Sequence, residues 1–143
     1  MPIQTFQVDI KALIRNDKGE ILMVHIPKWS GNEAHWDLPG GRIDTGEDLL
    51  DTLKRELKEE LSVTYKGKPK QLMTLLTSIT IPVGDTRLPL LYVVYEIDIP
   101  TNAKITLDPE SDEDDYKWFS PNDAADNMSY KLTPEFCDKV RGL

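Results

Sequence analysis

Three glutamates in the segment Lys54 to Val63, KRELKEELSV, carry the first chemical signal in this chain. On a helix advancing about 100° per residue, Glu56, Glu59 and Glu60 fall within an arc of about 100°. Glu56 and Glu60 are like charges one turn apart, a mildly destabilising pairing. Glu59 and Glu60 also crowd a helix C-terminus, where cations are favoured. One reading is a well-solvated charged helix. The other is a set of oxygen ligands for a hard divalent cation, with positions left open for water and phosphate. Arg55 is the nearby cation whose planar fork can fix a carboxylate's orientation, and its spacing allows a pair with Glu59.

The preceding residues, LPGGRIDTGED, shift the weight toward the second reading. Gly40, Gly41 and Gly46 precede the helix, and glycine lets backbone approach a ligand closely. Gly41 is followed after five residues by Glu47, and Glu47 after seven residues by Arg55-Glu56-Leu57-Lys58-Glu59-Glu60-Leu61-Ser62-Val63. This resembles the Nudix box of the Nudix hydrolase family, G-x5-E-x7-R-E-U-x-E-E-x-G-U with U a bulky aliphatic residue. The box covers 23 of the 143 residues and departs from the pattern at one position, Ser62 in place of glycine. A residue just past a helix end commonly adopts a left-handed conformation, which costs serine on the order of 1 kcal/mol.

The resemblance implies an α/β/α sandwich with a mixed sheet, the box forming a loop–helix–loop, and a single domain over residues 1–143. It implies hydrolysis of a diphosphate linkage in a nucleoside diphosphate derivative, with Mg2+ and sometimes Mn2+. By position, Glu56, Glu59 and Glu60 are the implied metal ligands, with the Gly40 carbonyl a further one. Arg55 and Glu47 are implied to hold the loop and orient the carboxylates. A metal neutralises the pyrophosphate's charge and lowers the pKa of bound water, and a carboxylate then takes the proton. Family members draw that base from the box or from a later acidic loop. DPESDEDDYKW offers Glu110, Asp112, Glu113, Asp114 and Asp115. Glu113, five residues before Trp118, is the candidate auxiliary ligand or base of this loop, and a solvated acidic loop is the alternative reading.

The substrate is open between a nucleoside triphosphate and a nucleotide sugar. Ile79, Thr80 and Ile81 stand where diadenosine-polyphosphate members carry tyrosine, and Ser78 and Ile79 where ADP-ribose members carry proline. The alternative function is a catalytically silent nucleotide-binding or regulatory module. Such members typically lose box carboxylates, and all three are present here. An isoprenoid-diphosphate isomerase is a weaker third reading.

The elements that must position these groups are legible in outline. FQVDIKALIRNDKGEILMVHI reads as two strands around a turn, with Val8, Ile10, Ala12 and Ile14 alternating with polar residues. A Gly- and Pro-punctuated connection with one short strand leads to a helix over residues 48–61. Its stripe is Leu49, Leu50, Leu53, Leu57 and Leu61. QLMTLLTSITIPV and LPLLYVVYEIDI read as a hairpin around GDT, and YKWFS as a short strand. Ser120-Pro121 and Thr133-Pro134 each read as a helix start.

Composition bounds the rest. Hydrophobic residues at 39% suffice for one core, and a net charge of −8 argues against nucleic acid or an anionic membrane as partner. No segment approaches the length of a membrane span, and no secretory signal is visible. The single cysteine, Cys137, reads as buried, and the expected location is cytoplasmic. The expected partner is a small nucleotide-type molecule, with the chain a monomer or homodimer. Arg42 could meet a phosphate. Trp29 could stack on a base, while Trp36 reads as packing. His25 and His35 lack a second histidine at ligand spacing. Arg15, Lys28 and Arg87 could each reach a substrate.

Overall fold

The computed structural model describes residues 2–29 and 31–143. Among the described residues, ten elements run in the order β1 (Gln7–Arg15), β2 (Ile21–Ile26), β3 (His35–Asp37), β4 (Gly40–Arg42), α1 (Leu49–Leu61), β5 (Lys70–Val83), β6 (Thr86–Asp98), β7 (Asp115–Phe119), α2 (Pro121–Met128) and α3 (Pro134–Arg141). The strands form one mixed sheet in the order β3-β2-β1-β6-β5, with β4 paired to β1 and β7 to β2. β1 runs parallel to β6 along its whole length, from Gln7↔Leu90 to Arg15↔Asp98.

On its other edge β1 changes partner. It meets antiparallel β2 at Arg15↔Ile21, and antiparallel β4 at Asp9↔Arg42, Ile10↔Gly41 and Lys11↔Gly40. The expected hairpin of the first two strands is therefore joined only near its turn. Beyond that turn the strands part, and the loop before α1 enters the sheet beside β1.

Alternation along β1 builds two cores. Ile10, Ala12 and Ile14 face α1, with Leu53, Leu57 and Leu61 packed on them. Leu13 faces the opposite side, toward Tyr92, Phe119, Met128 and Phe136 beneath α2 and α3. The result is the expected α/β sandwich. Leu49 and Leu50 depart from the expected stripe: both are exposed in the first turn of α1. Asp48 caps α1 by accepting from the Asp51 N–H, and Ser120 and Thr133 cap α2 and α3 in the same way. Cys137 is buried in the second core. Trp36 packs edge-to-face on Phe119 at 5.1 Å, in keeping with a packing role. Among the described residues, no helix is long and apolar enough to cross a membrane.

Ser62 ends α1 in the left-handed region, at φ 59° and ψ 31°. Its N–H donates to Lys58 O at 3.1 Å, and Val63 N–H reaches back to Leu57 O at 3.2 Å. That closure needs a left-handed residue, and here serine supplies it at a steric cost.

Candidate active site

Arg55 organises the start of the site. Its five N–H donors all find acceptors. Nε and Nη2 grip Glu47 at 2.7 and 2.9 Å, Nη1 reaches Glu56 at 2.9 Å and Glu59 at 3.1 Å, and Nη2 also donates to the Arg42 carbonyl at 3.0 Å. Glu47 in turn accepts from the Asp44 N–H and the Thr52 hydroxyl. The Arg55 bonds, then the Asp44 N–H, draw the Glu47 carboxyl down to about 2. The loop from β4 to α1 is thus tied to the helix through one guanidinium.

The two glycines let the loop lie against the carboxylates. Gly40 has φ +131°, and a Cβ there would strike the Ile10 carbonyl. A Cβ on Gly41 would stand 2.6 Å from the Glu56 carboxyl carbon. Glu56 is half-buried. Burial pushes its pKa up, and Arg55 only partly opposes this.

Glu60 is the most enclosed of the three, 6% exposed. Its Oε1 accepts the Gly40 N–H at 3.1 Å. Burial raises its pKa well above the usual range; Lys11 opposes the rise, and the Glu113 carboxyl beside it adds to it. Glu113 reaches this point because its loop is pinned. Thr106 N–H and Asp108 N–H donate to the carbonyls of Leu61 and Glu60, and Asp114 binds His25 through both its N–H and its carboxylate, the latter at 2.7 Å.

Glu56, Glu60, Glu110, Asp112 and Glu113 line one cleft of about 540 Å3, together with Gly40, Gly41, Arg42 and Trp29. Glu59 stands outside it, 57% exposed and turned to Arg55. Trp29 is 48% exposed at the cleft rim.

A buried polar cluster beneath the cleft was not anticipated. Asp37 Oδ2 accepts from Tyr92 Oη and Lys131 Nζ, each at 2.7 Å, and lies 3.6 Å from Lys11 Nζ. Burial raises the Asp37 pKa, but the two lysines and these hydrogen bonds outweigh it, and the net shift is downward. Burial lowers Lys11, yet Asp37, Asp9, Glu60 and Glu113 hold it above the usual lysine range. Lys11 Nζ also donates to the carbonyls of Leu38 and Gly40, at 3.1 and 3.2 Å. The Gly40 peptide is therefore held on both sides, its N–H by Glu60 and its carbonyl by Lys11. The signal for this cluster lay in β1, where Asp9 and Lys11 share a face with Leu13.

The donor set suits a hard divalent cation. Among the described residues no three His, Cys, Asp or Glu side chains already converge at ligand spacing. Glu60 and Glu113 nevertheless press two carboxyl groups together in an enclosed site, with Glu56 on the same cleft. That arrangement is costly unless a proton or a cation sits between them.

A family model for the NUDIX domain matches residues 5–136. The chain belongs to the Nudix hydrolase family. This Nudix chain is 27% identical over 117 residues to the nucleoside triphosphatase NudI of Escherichia fergusonii, across 79% of the chain and 81% of that protein. It is 36% identical over 61 residues to an RNA pyrophosphohydrolase of Ruthia magnifica subsp. Calyptogena magnifica, where the match spans 43% of the chain but only 32% of that relative. Among solved structures it resembles the MutT protein of Methanosarcina mazei Go1, with a TM-score of 0.68 and 26% identity over 99% of this chain and 94% of that one.

Proposed function

We propose that this Nudix protein hydrolyses a diphosphate linkage in a nucleoside diphosphate derivative, in a reaction that depends on Mg2+ or Mn2+. The observation that carries this reading is the Glu60 carboxylate, buried against the Gly40 N–H with Glu113 beside it, on a cleft shared with Glu56. Glu56, Glu60 and Glu113 would hold the cation, with Glu59 turning inward from Arg55 and the Gly40 carbonyl offering its remaining lone pair. When bound, the cation neutralises phosphate charge and acidifies water.

The chain's own residues supply the rest. Arg55, anchored by Glu47, fixes the Glu56 carboxylate so that its oxygens need no reorganisation when substrate arrives. Lys11 holds the Gly40 peptide, and with it the N–H that orients Glu60. Glu113 stands beside Glu60 and would accept the proton from attacking water. Arg42, exposed at the cleft, would meet a phosphate oxygen.

The test is a panel of nucleoside triphosphates and nucleotide sugars with Mg2+, scored by phosphate release after phosphatase coupling. Turnover of at least one compound, abolished by chelation, is expected. No turnover on any of them, with the nucleotides still binding, would replace this reading with that of a silent binding module.

A further inference from the structure

Beyond the carboxylates the cleft has a second wing, with Ile79, Ile81 and Pro82 supplying apolar surface. Its polar lining comes from three buried side chains: Asn32, His35 and Lys131. Lys131 donates to Asp37 and, as an ammonium, has two further N–H groups and no acceptor. His35 Nδ1 lies 2.7 Å from the Glu33 carbonyl, so the proton sits on Nδ1 and Nε2 presents a lone pair. Burial lowers the pKa of this ring; the Glu33 carbonyl opposes the fall, and the Lys131 charge adds to it.

Two polar atoms on this lining have no hydrogen-bond partner among the described residues, His35 Nε2 and Asn32 Nδ2. Their side chains are only 7% and 9% exposed. A buried polar atom without a partner is costly, which points to a group that completes it. The wing therefore offers two kinds of donor, the Lys131 ammonium and the Asn32 amide, and one acceptor, His35 Nε2. The carboxylate at hand is already engaged at both oxygens. Asp37 Oδ1 takes the Leu38 N–H, and Oδ2 already takes Tyr92 and Lys131.

We infer that this wing reads a nucleobase bearing a carbonyl oxygen, and discriminates against adenine. This rests on the nucleotide-hydrolase reading and names the substrate class within it. A carbonyl oxygen has two lone pairs and can accept from Lys131 and Asn32 together, while an N–H on the base donates to His35. Guanine, hypoxanthine, uracil, thymine and cytosine all carry such an oxygen. Adenine carries none. Each of its ring nitrogens has one lone pair, so no single atom of adenine takes both donors as a carbonyl oxygen does, and sites built to hydrogen-bond a group reject ligands that lack it strongly. The apolar residues of β5 offer the ring face a dry surface, and Trp29 stands at the rim. The substrate then lies with its phosphates at the acidic end and its base at Lys131.

The test is calorimetric binding of guanosine, inosine and uridine 5′-diphosphates against adenosine 5′-diphosphate, to the wild-type chain and to Lys131→Met. At least one of the three should bind at least tenfold more tightly than the adenosine compound, and Lys131→Met should erase most of that advantage. Adenosine diphosphate binding as well as all three, an advantage that survives Lys131→Met, or no binding by any of them would overturn the inference. If Lys131→Met does not fold, the wild-type ranking decides alone. A correct ranking with no turnover of the corresponding triphosphates in Mg2+ would leave the base preference standing and remove the hydrolase reading.

Discussion

Replacing Gly41 with alanine tests how far the site depends on the placement of one carboxylate. The new Cβ would lie 2.6 Å from Glu56 Cδ and Oε2 and 2.7 Å from Oε1. Ordinary carbon contacts begin at about 3.5 Å, so the carboxylate would have to retreat by about 1 Å. That movement stretches its 2.9 Å bond to Arg55. Gly41 does not have a positive φ, so its backbone accepts alanine and the fold should survive. A displacement of about 1 Å can cost a reaction on the order of 100-fold. Gly41→Ala should therefore lower kcat by about that factor, with a smaller change in KM and a Tm within a few degrees of wild type. Steady-state kinetics on whichever substrate the panel identifies, with a melting curve on the same preparation, gives both readouts. Gly40→Ala is the contrasting control, since its φ of +131° and the clash with Ile10 predict a failure to fold. A folded Gly41→Ala enzyme with near-wild-type kcat would show that catalysis tolerates the displacement of Glu56.

Two further predictions concern the helix and its loop. Ser62→Gly relieves a left-handed serine and should stabilise the fold by about 1 kcal/mol, raising Tm by about 3 °C, with turnover unchanged; a melt showing no gain would mean that glycine's extra chain entropy cancels the relief. Glu47 titrates at about 2 in the folded chain against 4.5 ordinarily, so the stability it contributes is fully present above pH 4.5 and is lost as pH falls toward 2. Glu47→Gln should therefore flatten the decline of Tm across that window, and an unchanged acid slope would show that Arg55 does not hold the carboxylate in solution.

Much of this geometry was legible because it is local. The glutamate spacing on α1, the glycines before it and the Ser-Pro and Thr-Pro helix starts are patterns within a few residues. Their hydrogen bonds follow from chain connectivity. What escaped was long-range. Asp9 and Lys11 looked like the solvent face of an alternating strand, because Val8, Ile10, Ala12 and Ile14 already formed an apolar face. The structure covers both faces of β1, so the supposed outer face became the floor of the cleft. Lys131 lies in the turn between α2 and α3, 94 residues from Asp37, and no local pattern links the two. Leu49 and Leu50 show the opposite error. Their spacing fits the apolar stripe, yet both stay exposed at the start of the helix. Glu59 fits the metal-binding face by periodicity, but Arg55 holds it outside the cleft.

The central claim is that the carboxylates of Glu56 and Glu60 exist to hold a divalent cation against a diphosphate. Its most direct test is calorimetric Mn2+ binding to the substrate-free wild type, Glu56→Gln and Glu60→Gln, with turnover measured on the same samples. Both variants should fold, bind Mn2+ at least tenfold more weakly and lose most of kcat. Wild-type metal affinity together with near-wild-type turnover in both variants would contradict it.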